Sequence, residues 1–350
     1  MAVAEHVVVR ALGVAVAIPA RDPDTAARLR RQWSRALTTE TAEETIDVSE
    51  LADLAPDQHD YAVTARVTMR ALEATAGTRL NIHAGAVAGD TGAALAVVGA
   101  SGSGKTTAVR ALAARLGYVS DETLSVSADL SVHPHPKPLS VITDPSQPWR
   151  KASVSPDDAG LRTPPAHTTL RRIVLLRRGH GTDGLVPVST PEAIVEIVPQ
   201  TSSLVLLDSP LLCLSRAIER CGGALALYYD EVIDHLDDLV ELLDSTPEEP
   251  LPGVHHPPID LPAPTGGQWS RRPWLDAMQY DDELVVMVID TAHLLAGLGT
   301  TVWLALAQPA SAAELVAVAQ VEHGAHPDAL GLVEAALAQL TERGLVSRPG

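Results

Sequence analysis

Apolar residues along this chain fall into two kinds of run. Short unbroken stretches, such as Ala93-Ala94-Leu95-Ala96-Val97-Val98, Ile173-Val174-Leu175-Leu176 and Ala224-Leu225-Ala226-Leu227-Tyr228-Tyr229, read as buried strands. Longer stretches repeat apolar positions every three or four residues and read as helices. Asp24 to Leu37 is one, with Ala27, Leu29, Trp33 and Leu37 apolar, and Tyr61 to Ala76 is another. His6 to Ala20, rich in Val and Ala, predicts one or two strands broken near Gly13. Leu80 to Ala88 predicts a strand, Gly89-Asp90-Thr91-Gly92 a turn, and Ala93 to Val98 the next strand of a tight hairpin. Further on, Arg171 to Arg178 contains a strand, Pro191 to Val198 and Pro210 to Arg220 read as helices, and Glu231 to Leu243 reads as an acidic helix after the strand at 224–229. Strands alternating with helices predict an α/β domain.

The pattern changes in the last third. Residues 245–268 hold seven prolines and end in Gly266-Gly267, a composition that predicts a semi-stiff and then flexible linker. Trp274 to Tyr280 and Glu283 to Ile289 predict a hairpin about Asp281-Asp282. Helices are expected around Thr300 to Ala307, Ala312 to Glu322 and Pro327 to Arg343, with Gly344-Leu345-Val346 closing the last. Two or three strands and then three helices make a small winged-helix-like unit. The expected organisation is an α/β lead-in over 1–79 packed on an α/β domain over 80–245, a linker over 246–268 and a small α+β domain over 269–350.

Composition changes this picture in a few places. At 350 residues the chain has room for two or three domains, and its net charge of −18 argues against nonspecific nucleic-acid binding and against an anionic membrane surface. The same charge suits a basic or neutral peptide. The final predicted helix has no Lys and few Arg, which argues against DNA reading. No apolar run is of membrane-span length and no basic-then-apolar signal opens the chain, so a cytoplasmic protein is expected. Cys213 and Cys221 make neither a disulfide framework nor a zinc site, and both read as small buried hydrophobes. Of the 26 basic residues only Lys105, Lys137 and Lys151 are lysines. A Lys kept where Arg is the habit suggests a need for a compact point charge.

The candidate chemistry centres on Gly99-Ala100-Ser101-Gly102-Ser103-Gly104-Lys105-Thr106, which fits G-x-x-x-x-G-K-[ST] between a predicted strand and a predicted helix starting near Thr107 and stopped by Gly117. Glycines let backbone N–H groups curl round a polyphosphate, and the helix N-terminus adds partial positive charge. Lys105 would reach the β/γ-phosphates and Thr106 would ligate Mg²⁺. The helix from Thr106 to Leu116 descends about 15 Å at 1.5 Å per residue. The run from Leu116 to Asp121 climbs back about 16 Å, which returns Asp121 to the phosphate edge. A carboxylate there can ligate Mg²⁺, accept a substrate hydroxyl proton, or both. The hairpin ahead of the loop can bring His83 to the same side. Prolines alternating through His133-Pro134-His135-Pro136-Lys137-Pro138 exclude a helix and a central strand. The two histidines lack a third ligand for a metal, and Lys137 is a candidate phosphate or substrate contact. The polar stretch 143–167 reads as a loop or lid on the active side, with Arg150 and Lys151 as charge.

These residues carry two resemblances. Residues about 80–245 resemble the HPr kinase/phosphorylase family of P-loop serine kinases, through His83 ahead of the loop, the fit of Gly99 to Thr106 to G-x-S-G-x-G-K-[ST], and Asp121-Glu122 where the family usually has two aspartates. The resemblance implies Asp121 as the carboxylate that activates an acceptor serine, His83, Lys105 and Thr106 as holders of phosphate and Mg²⁺, and Glu122 as a further metal carboxylate. Pro136-Lys137-Pro138-Leu139-Ser140, with Ser155-Pro156 and Gly160-Leu161 after it, looks more like the HPr-kinase-like proteins of peptide natural-product clusters, some of which phosphorylate a precursor peptide on serine. Residues about 270–350 resemble the PqqD family of leader-peptide recognition domains, through Trp274-Leu275-Asp276-Ala277, Leu284-Val285-Val286, Thr301-Val302-Trp303, Ala313-Glu314-Leu315 and Leu340 to Val346. Such domains bind an extended leader as an added strand, with Trp303, Leu315 and Leu340 as core.

Together these imply an ATP- and Mg²⁺-dependent serine kinase acting on a ribosomally made precursor peptide, with nucleotide on residues 99–107 and an oligomeric state expected by analogy. A small-molecule kinase and a nucleotide-gated peptide scaffold are the alternatives.

Overall fold

The computed structural model describes residues 5–51, 53–142, 146, 151–179, 183–247 and 250–348. Contacts divide the chain into two units, one of residues 1–187, 200–207 and 220–248, the other of 188–199, 208–219 and 249–350. Both mix helices with sheets. Among the described residues no helix is long and apolar enough to cross a membrane.

The first unit opens with β1 (Glu5–Ala11) and β2 (Val14–Ala20), paired antiparallel. The expected break at Gly13 is their turn, where Leu12 and Gly13 are left-handed at φ +51° and +81°. α1 (Pro23–Gln32) starts where the Asp22 carboxylate accepts the Thr25 N–H at 2.6 Å and Pro23 occupies the first turn. It ends earlier than the apolar spacing suggests, at Trp33, because a 3-10 turn takes Ser34–Ala36. β3 (Glu44–Thr45) adds parallel to β2, and α2 (Pro56–Thr75) starts at a proline ahead of the expected Tyr61. Val9, Ile18, Leu29, Trp33, Val63 and Val67 are among the residues that close a core of this segment's own.

The expected strand over 80–88 is two strands. β4 (Leu80–Ile82) and β5 (Ala84–Ala88) belong to different sheets, and the chain changes sheet at His83. β4 lies in the sheet β14-β4-β8-β9, with β8 Leu124–Val126, β9 Val132–His133 and β14 Thr201–Ser202. β5 lies in a six-stranded sheet of order β13-β15-β12-β6-β5-β7, where β6 is Ala93–Val98, β7 Gly117–Ser120, β12 Thr169–Arg178, β13 Gly184–Val188 and β15 Ala224–Tyr229. β6 and β15 flank β12 in parallel. Strands covered on both faces have no polar side to show, hence their unbroken apolar runs. α3 (Lys105–Leu112) and α6 (Leu236–Asp244) help build the core that β6, β12 and β15 line.

Three expectations change here. Cys213 is exposed, so of the two cysteines only Cys221 is a buried small hydrophobe. Gly117 does not stop a helix: α3 ends at Leu112, and Gly117 is the first residue of β7, where an added Cβ would sit 2.3 Å from Pro164 Cα. Nor is the whole of 143–167 a free loop. β10 (Leu139–Ile142) pairs with β11 (Lys151–Val154), which contains Lys151, while Arg150 falls outside the described residues. Beyond β11, Asp157 accepts hydrogen bonds from Ser34 and from Arg35 Nε (2.6 Å), and Arg35 also donates to the carbonyls of Leu161 and Arg162.

The second unit is built on the sheet β16-β18-β19-β20, with β16 Val254–His255, β18 Asp276–Tyr280, β19 Glu283–Val288 and β20 Thr291–Ala296. β17 (Ser270–Arg271) and β21 (Val346–Ser347) pair separately. One face of the sheet, including Ala277, Leu284, Val286 and Leu295, packs with Trp274, Trp303 and the helices α7 (Leu298–Ala305), α8 (Ala312–His323) and α9 (Ala329–Glu342). A Ser311–Glu314 capping box starts α8. The other face carries Met278, Val285 and Met287, and these too are buried.

α4 (Thr190–Ile197) and α5 (Pro210–Arg220) explain that burial. α4 packs across β18, β19 and β20, and the Tyr280 hydroxyl hydrogen-bonds Ser215 Oγ (2.5 Å) and Glu219 Oε1 (3.1 Å) on α5. Residues 188–199 and 208–219, placed by sequence in the α/β domain, therefore group with the C-terminal residues. The proline-rich linker also contributes: its residues Val254 and His255 form β16 against β18. The buried Asp276 carboxylate joins these pieces. It accepts the N–H groups of Leu211 (2.9 Å) and Leu212 (3.2 Å) at the start of α5 and that of Ala277 (3.0 Å), and it pairs with His255 Nε2 (2.6 Å).

Candidate functional site

Strand direction decides what meets at one edge of the six-stranded sheet. β5 runs antiparallel to β6, so Ala84 lies opposite Val98 and the start of β5 is level with the end of β6. β7 runs antiparallel to β5, with Ser120 opposite Ala86, so the end of β7 reaches the same edge. His83, the glycine-rich loop after Val98, and Asp121-Glu122 after Ser120 therefore converge there. The parallel strands β12 and β15 also end at this edge, at Arg178 and Tyr229. A ligand site outside the carboxyl ends of parallel strands is the general rule for such sheets.

The loop folds as its glycines require. Gly102 and Gly104 are left-handed at φ +84° and +88°, a conformation that L side chains resist. A Cβ on Gly104 would also lie 3.0 Å from Tyr229 Oη, and that hydroxyl donates to the Ser103 carbonyl. Ala100, Ser101 and Gly102 are exposed, as are Thr106 and Thr107 in the first turn of α3. The first helical hydrogen bond is Ala108 N–H to Gly104 O at 2.9 Å, so the N–H groups of 105–107 precede it and face the loop end of the helix. Lys105 is buried with Nζ on the carbonyls of Gly99 (2.5 Å) and Ala100 (3.1 Å). Burial lowers its pKa.

A phosphate chain fits this donor set. The loop offers backbone N–H groups, an ammonium held only by carbonyls of its own loop, and the buried Ser103 Oγ, which has no hydrogen-bond partner among the described residues. Thr106 follows Lys105 in the first turn of α3, with its side chain exposed.

Beside the loop stands an acidic pair with its own counter-ion. Asp121 is buried. Its Oδ1 accepts the Tyr118 hydroxyl (2.9 Å) and the Lys137 ammonium (3.1 Å). The same ammonium lies 3.2 Å from Glu122 Oε2. Burial works against charge on Lys137, but Asp121 and Glu122 outweigh it and raise its pKa. The Tyr118 phenol is pushed well above its usual range by burial and by Asp121. The His83 side chain is open to solvent at its tip, yet crowding by neighbours and then the Lys105 charge lower its pKa, against the pull of Glu122 and Asp121. The His83 N–H backbone group donates to Gln200 O at 2.5 Å, which fixes the place where the chain leaves β4 for β5.

His83, Lys105, Thr106, Asp121 and Glu122 thus come from three separate connections to one edge. Lys137 sits on the acids and not free for phosphate, a placement the sequence reading did not anticipate. Tyr118 and Tyr229 were not singled out at all. Each lies in a buried strand, and no sequence signal separates it from core.

The two histidines of the proline-rich stretch do not share a task. His133 is bonded to Ser127 Oγ (2.7 Å), whereas His135 is fully buried, stacked at a tilt on Trp33 with Nε2 on Thr68 Oγ1 (2.9 Å). Among the described residues no group of three His, Cys, Asp or Glu is placed to hold a metal ion. Burial lowers the His135 pKa from 6.5 to about 3, so the folded chain refuses a proton that the unfolded chain accepts. Its contribution to stability is complete above pH 6.5 and is lost progressively as pH falls toward 3. The expected slope is about 1.4 kcal/mol per pH unit in that window. Urea unfolding at pH 7, 6 and 5 measures it, and His135→Leu should flatten the dependence.

Compared with known proteins, the chain matches no family model, and no curated protein is significantly similar to it.

Proposed function

We propose that this chain is an ATP- and Mg²⁺-dependent serine kinase for a ribosomally made precursor peptide. The first unit would be a P-loop kinase core of the HPr-kinase type, and the second a PqqD-like recognition domain of winged-helix kind. The observation that carries the reading is the convergence of the glycine-rich loop, Asp121 and His83 on one sheet edge, with Lys105 and Lys137 as the buried cations beside them.

The loop N–H groups and Lys105 hold the nucleotide phosphates, Lys105 exchanging its loop carbonyls for phosphate oxygens. Magnesium, when bound, would neutralise charge on the phosphate oxygens, and Thr106 is the residue that would hold it. Asp121 takes the proton of the acceptor serine through Oδ2, the oxygen that the Tyr118 hydroxyl and the Lys137 ammonium do not engage. The serine oxygen bonds to the γ-phosphorus as the bond to the bridging oxygen breaks, and ADP leaves with that electron pair. His83 serves as a hydrogen-bond partner at the phosphate side.

The peptide part rests on β20. It pairs with β19 and ends the strand order, so its outer side is an open edge. The Leu294 carbonyl points out along that edge, since it accepts Arg343 Nη1 at 3.0 Å. An extended leader adds there as a further strand. A leader held by the same chain keeps the acceptor serine at high effective concentration, so weak contacts at the kinase centre suffice.

The edge is testable by itself. Leu294→Pro removes one outward N–H while sparing the pairing with β19. Leader binding, read by fluorescence anisotropy, should weaken roughly tenfold or more with nucleotide binding unchanged. Unchanged leader affinity would place the peptide elsewhere.

A further inference from the structure

We propose that the Lys137 ammonium is the built-in cation of the Asp121–Glu122 pair. It stands where a metal ion bridging the two carboxylates would stand. Glu122 is then no metal ligand, and Asp121 meets the reaction through Oδ2 alone. Only that last clause rests on the kinase reading.

The geometry is specific. Lys137 Nζ lies 3.1 Å from Asp121 Oδ1 and 3.2 Å from Glu122 Oε2, and its side chain is 6% exposed. This is not a mobile surface lysine. Pro136 and Pro138 flank it, the Lys137 N–H donates to His135 O (2.8 Å), and the His135 N–H donates to Val119 O (3.1 Å) on β7. The segment is thus stapled to the strand that delivers Asp121.

Tyr118 holds the same Oδ1 from the other side at 2.9 Å. With one carboxylate oxygen engaged twice, the orientation of the second is set. A divalent ion placed between Asp121 and Glu122 would meet the ammonium at contact distance, where like charges repel strongly. Residue choice agrees. Arginine is the usual base in this chain, with three lysines among 26 basic residues, and a guanidinium is too broad to sit as a point between two adjacent carboxylates. Lys137 is a positioning residue: it acts through Asp121, by fixing the carboxylate and supplying charge that a second metal ion would otherwise bring.

The test uses the full chain and Mn²⁺, counted by electron paramagnetic resonance. Without nucleotide, Lys137→Met should gain one bound Mn²⁺ per chain that the wild type lacks, and Lys137→Met with Glu122→Gln should lose it again. With ADP present, wild type and Glu122→Gln should hold Mn²⁺ with the same affinity. A folded Lys137→Met protein that gains no Mn²⁺ overturns the proposal. So does a Glu122→Gln protein whose Mn²⁺·ADP complex is weaker by about tenfold, the loss expected of a ligand-shell residue. Should Lys137→Met not fold, the Glu122→Gln comparison decides alone. Failure of ADP to bind the wild type counts against the kinase reading, and the nucleotide-free measurement still decides the role of Lys137.

Discussion

Asp121→Asn should reduce phosphoryl transfer by about 10²–10⁴-fold, the usual worth of a positioned general base, while nucleotide affinity stays unchanged. The substitution keeps the side chain's shape and leaves an oxygen for the Tyr118 hydroxyl, which now lies 2.9 Å from Oδ1. What it removes is the group that takes the serine proton and half of the charge facing Lys137. The glycine-rich loop does not depend on Asp121: its contacts are Lys105 to the Gly99 and Ala100 carbonyls and Tyr229 to the Ser103 carbonyl. A fall in kcat at constant nucleotide Kd therefore marks Asp121 as a reacting group. A joint loss of both would make it part of the binding frame, and full activity would exclude it as the base.

The second large effect belongs to the other unit. Asp276→Ala should destabilise that unit by about 3–5 kcal/mol, the range for removing one partner of a buried polar network. The side chain is 1% exposed and serves four groups at once: two N–H donors at the start of α5, its own neighbour's N–H, and His255 of the linker strand. Without it the N–H groups at the start of α5 lose their acceptor and the half-buried His255 imidazole loses its partner. Asp276→Asn keeps one acceptor oxygen and should cost less, on the order of 1–3 kcal/mol. Denaturant titrations of the two variants, followed by tryptophan emission from Trp274 and Trp303, measure both. A cost under about 1 kcal/mol for the alanine variant would mean the network is not structural.

Local structure around the glycine-rich loop was the most legible part of this chain. The loop 99–106 is defined by short-range rules, and its strand and helix lie immediately on either side. Asp121 could be placed at the sheet edge because one helix and one strand of known rise return the chain to its starting level. The break at His83 was not legible. Leu80 to Ala88 is a continuous strand-like run, and the change of sheet is set by pairing with the distant residues 200–202. The grouping of α4 and α5 was hidden for a similar reason. Apolar spacing identifies a helix but not the surface it covers, and the second face of the β18–β20 sheet reads in sequence only as more Val and Met. Proline content concealed β16, although Val254-His255 lies between the prolines as a short strand-forming pair. The Lys137 pairing needed the fold, since residues 121 and 137 meet only once 135 is bonded to β7.

That grouping affects how the recognition domain is removed in an experiment. Deleting 269–350 would take away the sheet on which α4 packs, and with it Asp276 and Tyr280, which hydrogen-bond α5. The edge variant Leu294→Pro is the cleaner way to detach peptide recognition from catalysis.

The measurement that bears most directly on the proposed activity is the intact mass of a candidate precursor peptide after incubation with the full-length protein, ATP and Mg²⁺. A kinase of the kind proposed adds one phosphate, about 80 Da, to a serine of the peptide. That gain should vanish with Asp121→Asn and fall sharply with Leu294→Pro. Tight peptide and nucleotide binding with no mass gain would contradict catalysis and point to a scaffold. Nucleotide turnover on a small acceptor, with the peptide ignored, would contradict the peptide substrate.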